Sequence, residues 1–135
     1  MDDYFKKQYV HIKYPKESNG IGLRKAQIGA IHAIASFFTL QNNKSAIIIM
    51  PTGSGKTAVI TMSPYVLSAT KVLVVTPSRM VRGQIAEEFS QLKTICMTTA
   101  ADTNIEKPTV FEMQHMYNEE LLESIKNSQV VVATP

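Results

Sequence analysis

Ala46-Ile47-Ile48-Ile49-Met50-Pro51-Thr52-Gly53-Ser54-Gly55-Lys56-Thr57 is the stretch on which the fold turns. An apolar run with no polar alternation reads as a strand buried on both faces, the kind found in parallel sheets. A glycine-rich turn follows at once, and Lys56 to about Ala69 reads as a helix that Pro64 must kink or end. Strand, glycine turn and helix in this order form an anion cradle. Gly53 and Gly55 allow positive backbone dihedrals, successive N–H groups then point inward, and the helix start adds its positive end. Lys56 can reach the outer phosphates of a nucleotide, and the Thr57 hydroxyl suits Mg²⁺. The strict phosphate-loop signature starts with glycine, where this chain has Met50.

The flanking sequence repeats the alternation. Before the loop, Leu23, Ala26, Ala30, Ile34 and Phe37 recur at helical steps and predict a helix to about Leu40, followed by the polar break Gln41-Asn42-Asn43-Lys44. After it, Lys71–Val75 reads as a second buried strand. Thr76-Pro77-Ser78 opens a helix to about Leu92, with Ile85, Phe89 and Leu92 on one stripe. Thr94–Thr99 is expected as a strand, 100–108 as a loop, Thr109–Asn127 as mostly helix, and Gln129–Ala133 as a last buried strand. Strands alternating with helices indicate an α/β fold. The expected architecture is three-layered, a parallel sheet with helices on both faces. Such sheets place ligands at the carboxyl ends of their strands.

Composition sets the limits. At 135 residues there is room for one domain, which should bury about two-thirds of its unfolded surface. Hydrophobic residues make up 44% and charged residues 19%, a globular balance that argues against disorder. Residues 1–20 read as an N-terminal arm and 21–135 as the α/β unit. The single cysteine, Cys96, excludes an internal disulfide framework and a multi-cysteine zinc site, and it points to a reducing, cytoplasmic setting. Cys96 lies in an apolar segment and is expected in the core. Met113 and Met116, at helical spacing, are expected to pack. The start of the chain has no signal-peptide pattern, and no run approaches the roughly 20 apolar residues that span a bilayer. His11, His32 and His115 have no ligand spacing. Residues 1–90 hold eleven Lys/Arg against five acids, and residues 91–135 hold three against six. This asymmetry suits a basic face for a polyanion, and equally an ordinary solvated surface.

Two further groups are site candidates. Gln27 sits on the apolar stripe of its helix, four residues after Leu23. A buried carboxamide needs partners; nearby backbone can supply them, and so can an adenine edge. Thr76-Pro77-Ser78 ends a strand and starts a helix, with Ser78 as N-cap. Its N–H groups, with Arg79 and Arg82, can hold a phosphate, or the element can be an ordinary capped helix with solvated arginines.

Taken together, these segments resemble superfamily-two helicases of the DEAD/DEAH-box type, in particular the helicase subunits of type III restriction enzymes. Leu23–Ile31 is similar to the Gln-bearing segment ahead of the phosphate loop. Met50–Thr57 resembles motif I, Val74–Gln84 motif Ia, and Val131–Pro135 motif Ib. The likeness spans residues 21–135 and implies a RecA-like motor domain. It implies that ATP and Mg²⁺ are the cofactors, with Gln27 reading adenine and Thr52, Gly53, Ser54, Gly55, Lys56 and Thr57 holding phosphate. Lys56 and Thr57 are then the catalytic candidates, and Thr57 the Mg²⁺ ligand. It also implies that Thr76, Pro77, Ser78, Arg79, Thr134 and Pro135 hold nucleic-acid backbone, with DNA favoured over RNA and no membrane partner.

In that family an Asp-Glu pair should follow Thr134-Pro135, and no Asp-Glu dipeptide occurs in the 135 residues. The expectation is therefore the front part of a first motor domain, separated from the rest of the motor. On its own it should bind nucleotide weakly, without useful hydrolysis or unwinding. The alternative is a small P-loop kinase or stand-alone nucleotide-binding module. A kinase needs an arginine-bearing lid, which residues 100–135 do not offer.

Overall fold

The computed structural model describes residues 3–41 and 43–135; Met1, Asp2 and Asn42 of the polar break lie outside the described residues. Helix α1 (Tyr4–Gln8) leads through a 3-10 turn (Tyr9–His11) into an irregular stretch. Helix α2 (Lys25–Leu40) then precedes the glycine loop, and α3 (Lys56–Val66) follows it. Strand β1 (Val72–Val75), helices α4 (Arg79–Gln91) and α5 (Lys93–Met97), and strand β2 (Val110–Glu112) come next. A 3-10 turn (Glu119–Leu121), helix α6 (Leu122–Asn127) and strand β3 (Val130–Ala133) complete the order.

The three strands form one parallel sheet in the order β1-β3-β2. Leu73 pairs with Val131, and Val131 with Phe111. The fold is α/β, as the alternation of elements predicts. Helix α4 packs on β2 and β3, while α3 packs on α2 and α5. Val130 and Val132 point into the core from the central strand, and both are fully buried.

Residues 3–24 are packed into this body. Phe5 is fully buried and meets Tyr65 of α3 edge-on at 4.9 Å between ring centroids. The Tyr4 and Tyr65 hydroxyls are hydrogen-bonded at 2.9 Å, and the Gln8 Oε1 accepts from the Glu106 N–H at 2.8 Å. Ile12 bridges to Ala101, and the Lys13 N–H donates to the Ala100 carbonyl. His11 Nδ1 lies 2.9 Å from Asp102 Oδ1. That contact and the Asn104 N–H hold the Asp102 carboxyl below its ordinary pKa.

Several elements differ from the expectations. Ala46–Met50 belongs to no strand, and Ile47 and Ile49 are 87% and 90% exposed. The three sheet strands pair with one another, so this run has no ladder partner among the described residues, and two-faced burial needs neighbours on both sides. Thr94–Thr99 is largely helix α5. The Glu88 carboxylate accepts from the Thr94 N–H and hydroxyl and so caps that helix, overriding the β-branched composition. Thr109–Asn127 is not mostly helical: it opens with β2, held against β3, and only α6 and its lead-in turn are helical. Met116 does not pack; it is 91% exposed. Cys96 is half-buried against the core, and burial raises its thiol pKa.

Candidate nucleotide and nucleic-acid site

The glycine loop takes the shape its composition allows. Gly53 has φ +78° and Gly55 φ +90°, both in the left-handed region. Ser54 between them is tied back to the Pro51 carbonyl by its N–H at 3.1 Å and its hydroxyl at 2.6 Å. Gly55 is the N-cap of α3, so Lys56 and Thr57 begin the helix at its positive end. The first turn of α3 carries no acid to compete for that end. Lys56 is exposed, and no ion pair engages it among the described residues. The Thr57 carbonyl accepts from the Thr61 hydroxyl at 2.7 Å.

Helix α2 is wired to this loop. Gln27 is buried; its Oε1 accepts from the Arg24 N–H at 2.7 Å, and its Nε2 donates to the Gly55 carbonyl at 3.1 Å. Arg24 Nη1 donates to the Gly53 carbonyl at 2.6 Å. The backbone partnership considered for Gln27 is therefore realised, and it runs to the phosphate loop itself. Each carboxamide atom keeps a second bonding position. A hollow of about 700 Å³ opens beside Arg24, between Lys16-Glu17 and the Leu23 and Ile28 side of α2. A cleft of about 490 Å³ lies on the far side, where Lys56, Thr57 and Ile60 face Gln84 and Glu88 of α4.

A second cluster forms at the carboxyl ends of β1 and β3. Ser78 caps α4, its hydroxyl accepting from the Val81 N–H at 3.3 Å. Ser78 and Arg79 are exposed, and Arg79 and Thr134-Pro135 line one hollow of about 370 Å³. Thr76 is turned inward: it is buried, and its hydroxyl lies within reach of the Ser78 and Ala133 carbonyls. Arg82 is not a solvated arginine. It is buried, donates through Nε to Glu112 Oε2 at 3.1 Å, and reaches the Thr134 hydroxyl at 3.4 Å. Sequence reasoning missed this role because Glu112 lies thirty residues downstream, in a strand that the local pattern hides.

A parallel α/β sheet with a glycine loop at a helix start, and strand ends gathered on one edge, is consistent with part of a RecA-like fold. The family model described as "Type III restriction enzyme, res subunit" matches residues 20–135, and the chain belongs to that family. The family is one of superfamily-two, helicase-like, ATP-dependent nucleic-acid motor domains whose members use ATP and Mg²⁺. Comparison with curated proteins and with solved structures returns no match. No helix among the described residues is long and apolar enough to cross a membrane.

Proposed function

We propose that the chain is the nucleotide-binding part of an ATP-dependent helicase or translocase that works on nucleic acid, DNA before RNA, in the cytoplasm. One observation carries this reading: two left-handed glycines curl ahead of α3 while Gln27 and Arg24 brace their carbonyls from α2. With those carbonyls held away and the Ser54 N–H turned back to Pro51, the N–H groups of Gly53, Gly55, Lys56 and Thr57 are the ones that can converge on an anion. The pattern fits a nucleotide, since a Cβ at Gly53 would meet nothing within 4 Å and the loop mouth is open.

The Gly53–Thr57 backbone and Lys56 hold the phosphates, with Thr52 at the start of the turn. Gln27 uses its remaining donor and acceptor on adenine. The Thr57 hydroxyl would hold Mg²⁺, which would supply charge neutralisation for the phosphates. Ser78, Arg79, Thr134 and Pro135, with the α4 N–H groups, hold nucleic-acid backbone. Thr76 and Pro77 shape that helix start. The 135 residues alone bind nucleotide weakly and turn over little of it, because the residues that position the attacking water are not among them.

Calorimetry with ADP on the wild-type chain and on Lys56→Ala tests the assignment. The variant should lose at least tenfold in affinity, as expected when a charge-assisted phosphate contact worth about 1.5–3 kcal/mol is removed. Equal binding by both proteins would sink it.

A further inference from the structure

The hollow at the carboxyl edge of the sheet has two unlike walls. One carries Arg79 and Thr134, the groups proposed above to hold a phosphate backbone. The other is the segment leaving β2, Met113-Gln114-His115-Met116-Tyr117. Arg82 lies between them, but Glu112 and Thr134 already occupy its guanidinium. Arg79 is the exposed cation of the hollow, and it sits on the first wall.

The second wall has a different chemistry. It has no Lys, Arg, Asp or Glu. It therefore offers a phosphodiester no counter-charge, whereas an uncharged base needs none. The wall also presents large side chains that the core does not use: Tyr117 is 56% exposed and Met116 91%. Every base has a face that can stack on such a ring, whatever its sequence.

We infer that the 113–117 segment is a base-stacking platform for single-stranded nucleic acid, with Tyr117 as the stacking ring and the sugar-phosphate backbone turned toward Arg79. The inference rests on the proposed backbone face and adds a polarity to it, phosphates on the α4 side and bases on the β2 side. It also adds a selection. A duplex keeps its bases stacked on one another, so only an unpaired strand can offer a face to Tyr117.

Fluorescence anisotropy with a labelled oligothymidylate and a labelled blunt-ended duplex tests this on the full chain. Tyr117→Ala should lose about tenfold on the single strand, a typical loss for one stacked base. Its duplex binding and salt dependence should stay unchanged, and Tyr117→Phe should retain single-strand binding. Arg79→Ala should weaken binding to both probes and lower the salt slope by about one. The chain has no tryptophan and five tyrosines, so tyrosine emission is directly readable. Oligothymidylate should quench it in the wild type and quench it less in Tyr117→Phe. If Arg79→Ala weakens binding while Tyr117→Ala does not, the platform is wrong and the backbone face stands. Equal losses on both probes for Tyr117→Ala also overturn the platform, since that pattern marks a structural effect. No wild-type binding to either probe at low salt removes both.

Discussion

Gln27 and Gly55, twenty-eight residues apart, are joined by a single hydrogen bond from the carboxamide Nε2 to the glycine carbonyl at 3.1 Å. The approach is close enough that a Cβ on Gly55 would lie 2.1 Å from that nitrogen. Gly55 also has φ +90°, where an L side chain is strained. Both conditions leave glycine as the only residue that fits the junction between α2 and the loop.

Gly55→Ala should therefore reduce ADP affinity at least tenfold, and Gly53→Ala should reduce it less. Gly53 shares the left-handed dihedral, but its Cβ would enter open space. Gly55→Ala should also lower the melting temperature, and adding Gln27→Ala, which removes the obstructing carboxamide, should recover part of that stability while leaving ADP binding weak. Thermal melts of Gly55→Ala, Gln27→Ala and the double variant give the coupling directly.

Arg82 and Glu112 form a pair in which the arginine side chain is 8% exposed and the glutamate 26%. Removing the arginine alone leaves a partly buried carboxylate without its counter-charge. Arg82→Leu should lower unfolding free energy by about 3 kcal/mol. Arg82→Leu with Glu112→Leu should be markedly milder, because no charge is then stranded. Urea unfolding followed by far-ultraviolet circular dichroism separates the two.

The N-terminal segment is held to α3 by aromatic contacts, and its removal should be felt in the core. Phe5→Ala should cost about 3–5 kcal/mol, the range for deleting a buried aromatic ring. Tyr65→Phe should cost only about 1 kcal/mol. The Tyr4 hydroxyl still donates to the Glu106 carbonyl when its Tyr65 partner is gone. Thermal melts of the two variants should differ accordingly.

Acidification should act through Asp102. Its folded-state pKa lies below the ordinary carboxylate value, first through the His11 hydrogen bond and also through the Asn104 N–H. A depressed carboxylate pKa contributes stability that is fully present above the unfolded value, about 3.9. That contribution is lost as pH falls through the folded value. Asp102→Asn should flatten the acid limb of a pH-dependent melting curve, and a limb identical to the wild type would disprove the assignment.

What the sequence discloses tracks the range of the interactions. The Leu23, Ala26, Ala30, Ile34 and Phe37 spacing discloses that α2 is a helix, but its buried face is Gln27, Ile31 and Ile34, with Ala26 exposed and Leu23 ahead of the helix. Ile85 and Phe89 on α4 and Leu92 at its C-cap are buried as expected, and so is the run that becomes β3. By contrast, β1 is a strand but not a buried one: Leu73 and Val75 are exposed because the sheet's edge strand is covered on one face only. The glycine loop is legible because its residues act on their own backbone. Long-range partners are not. Nothing near Arg82 announces Glu112, and nothing near Tyr4 announces Tyr65. Strand β2 is three residues long and is held by Val130–Val132 of β3, so its own sequence carries almost no period. The Ile47–Ile49 run fails in the other direction: its composition says sheet, yet a ladder needs a partner strand.

That run sets how the polypeptide behaves in a tube. An exposed isoleucine run that joins no ladder among the described residues is a place where another strand can add. Leu73 and Val75 of β1 are also more than half exposed. Colloidal stability should therefore fall with protein concentration and rise when a charge interrupts the segment. Ile49→Lys places one at its most exposed position and leaves Met50 and the glycine loop chemically untouched. Light scattering across a dilution series would show a later onset of association for that variant, and the same substitution would give a more tractable protein for every measurement above.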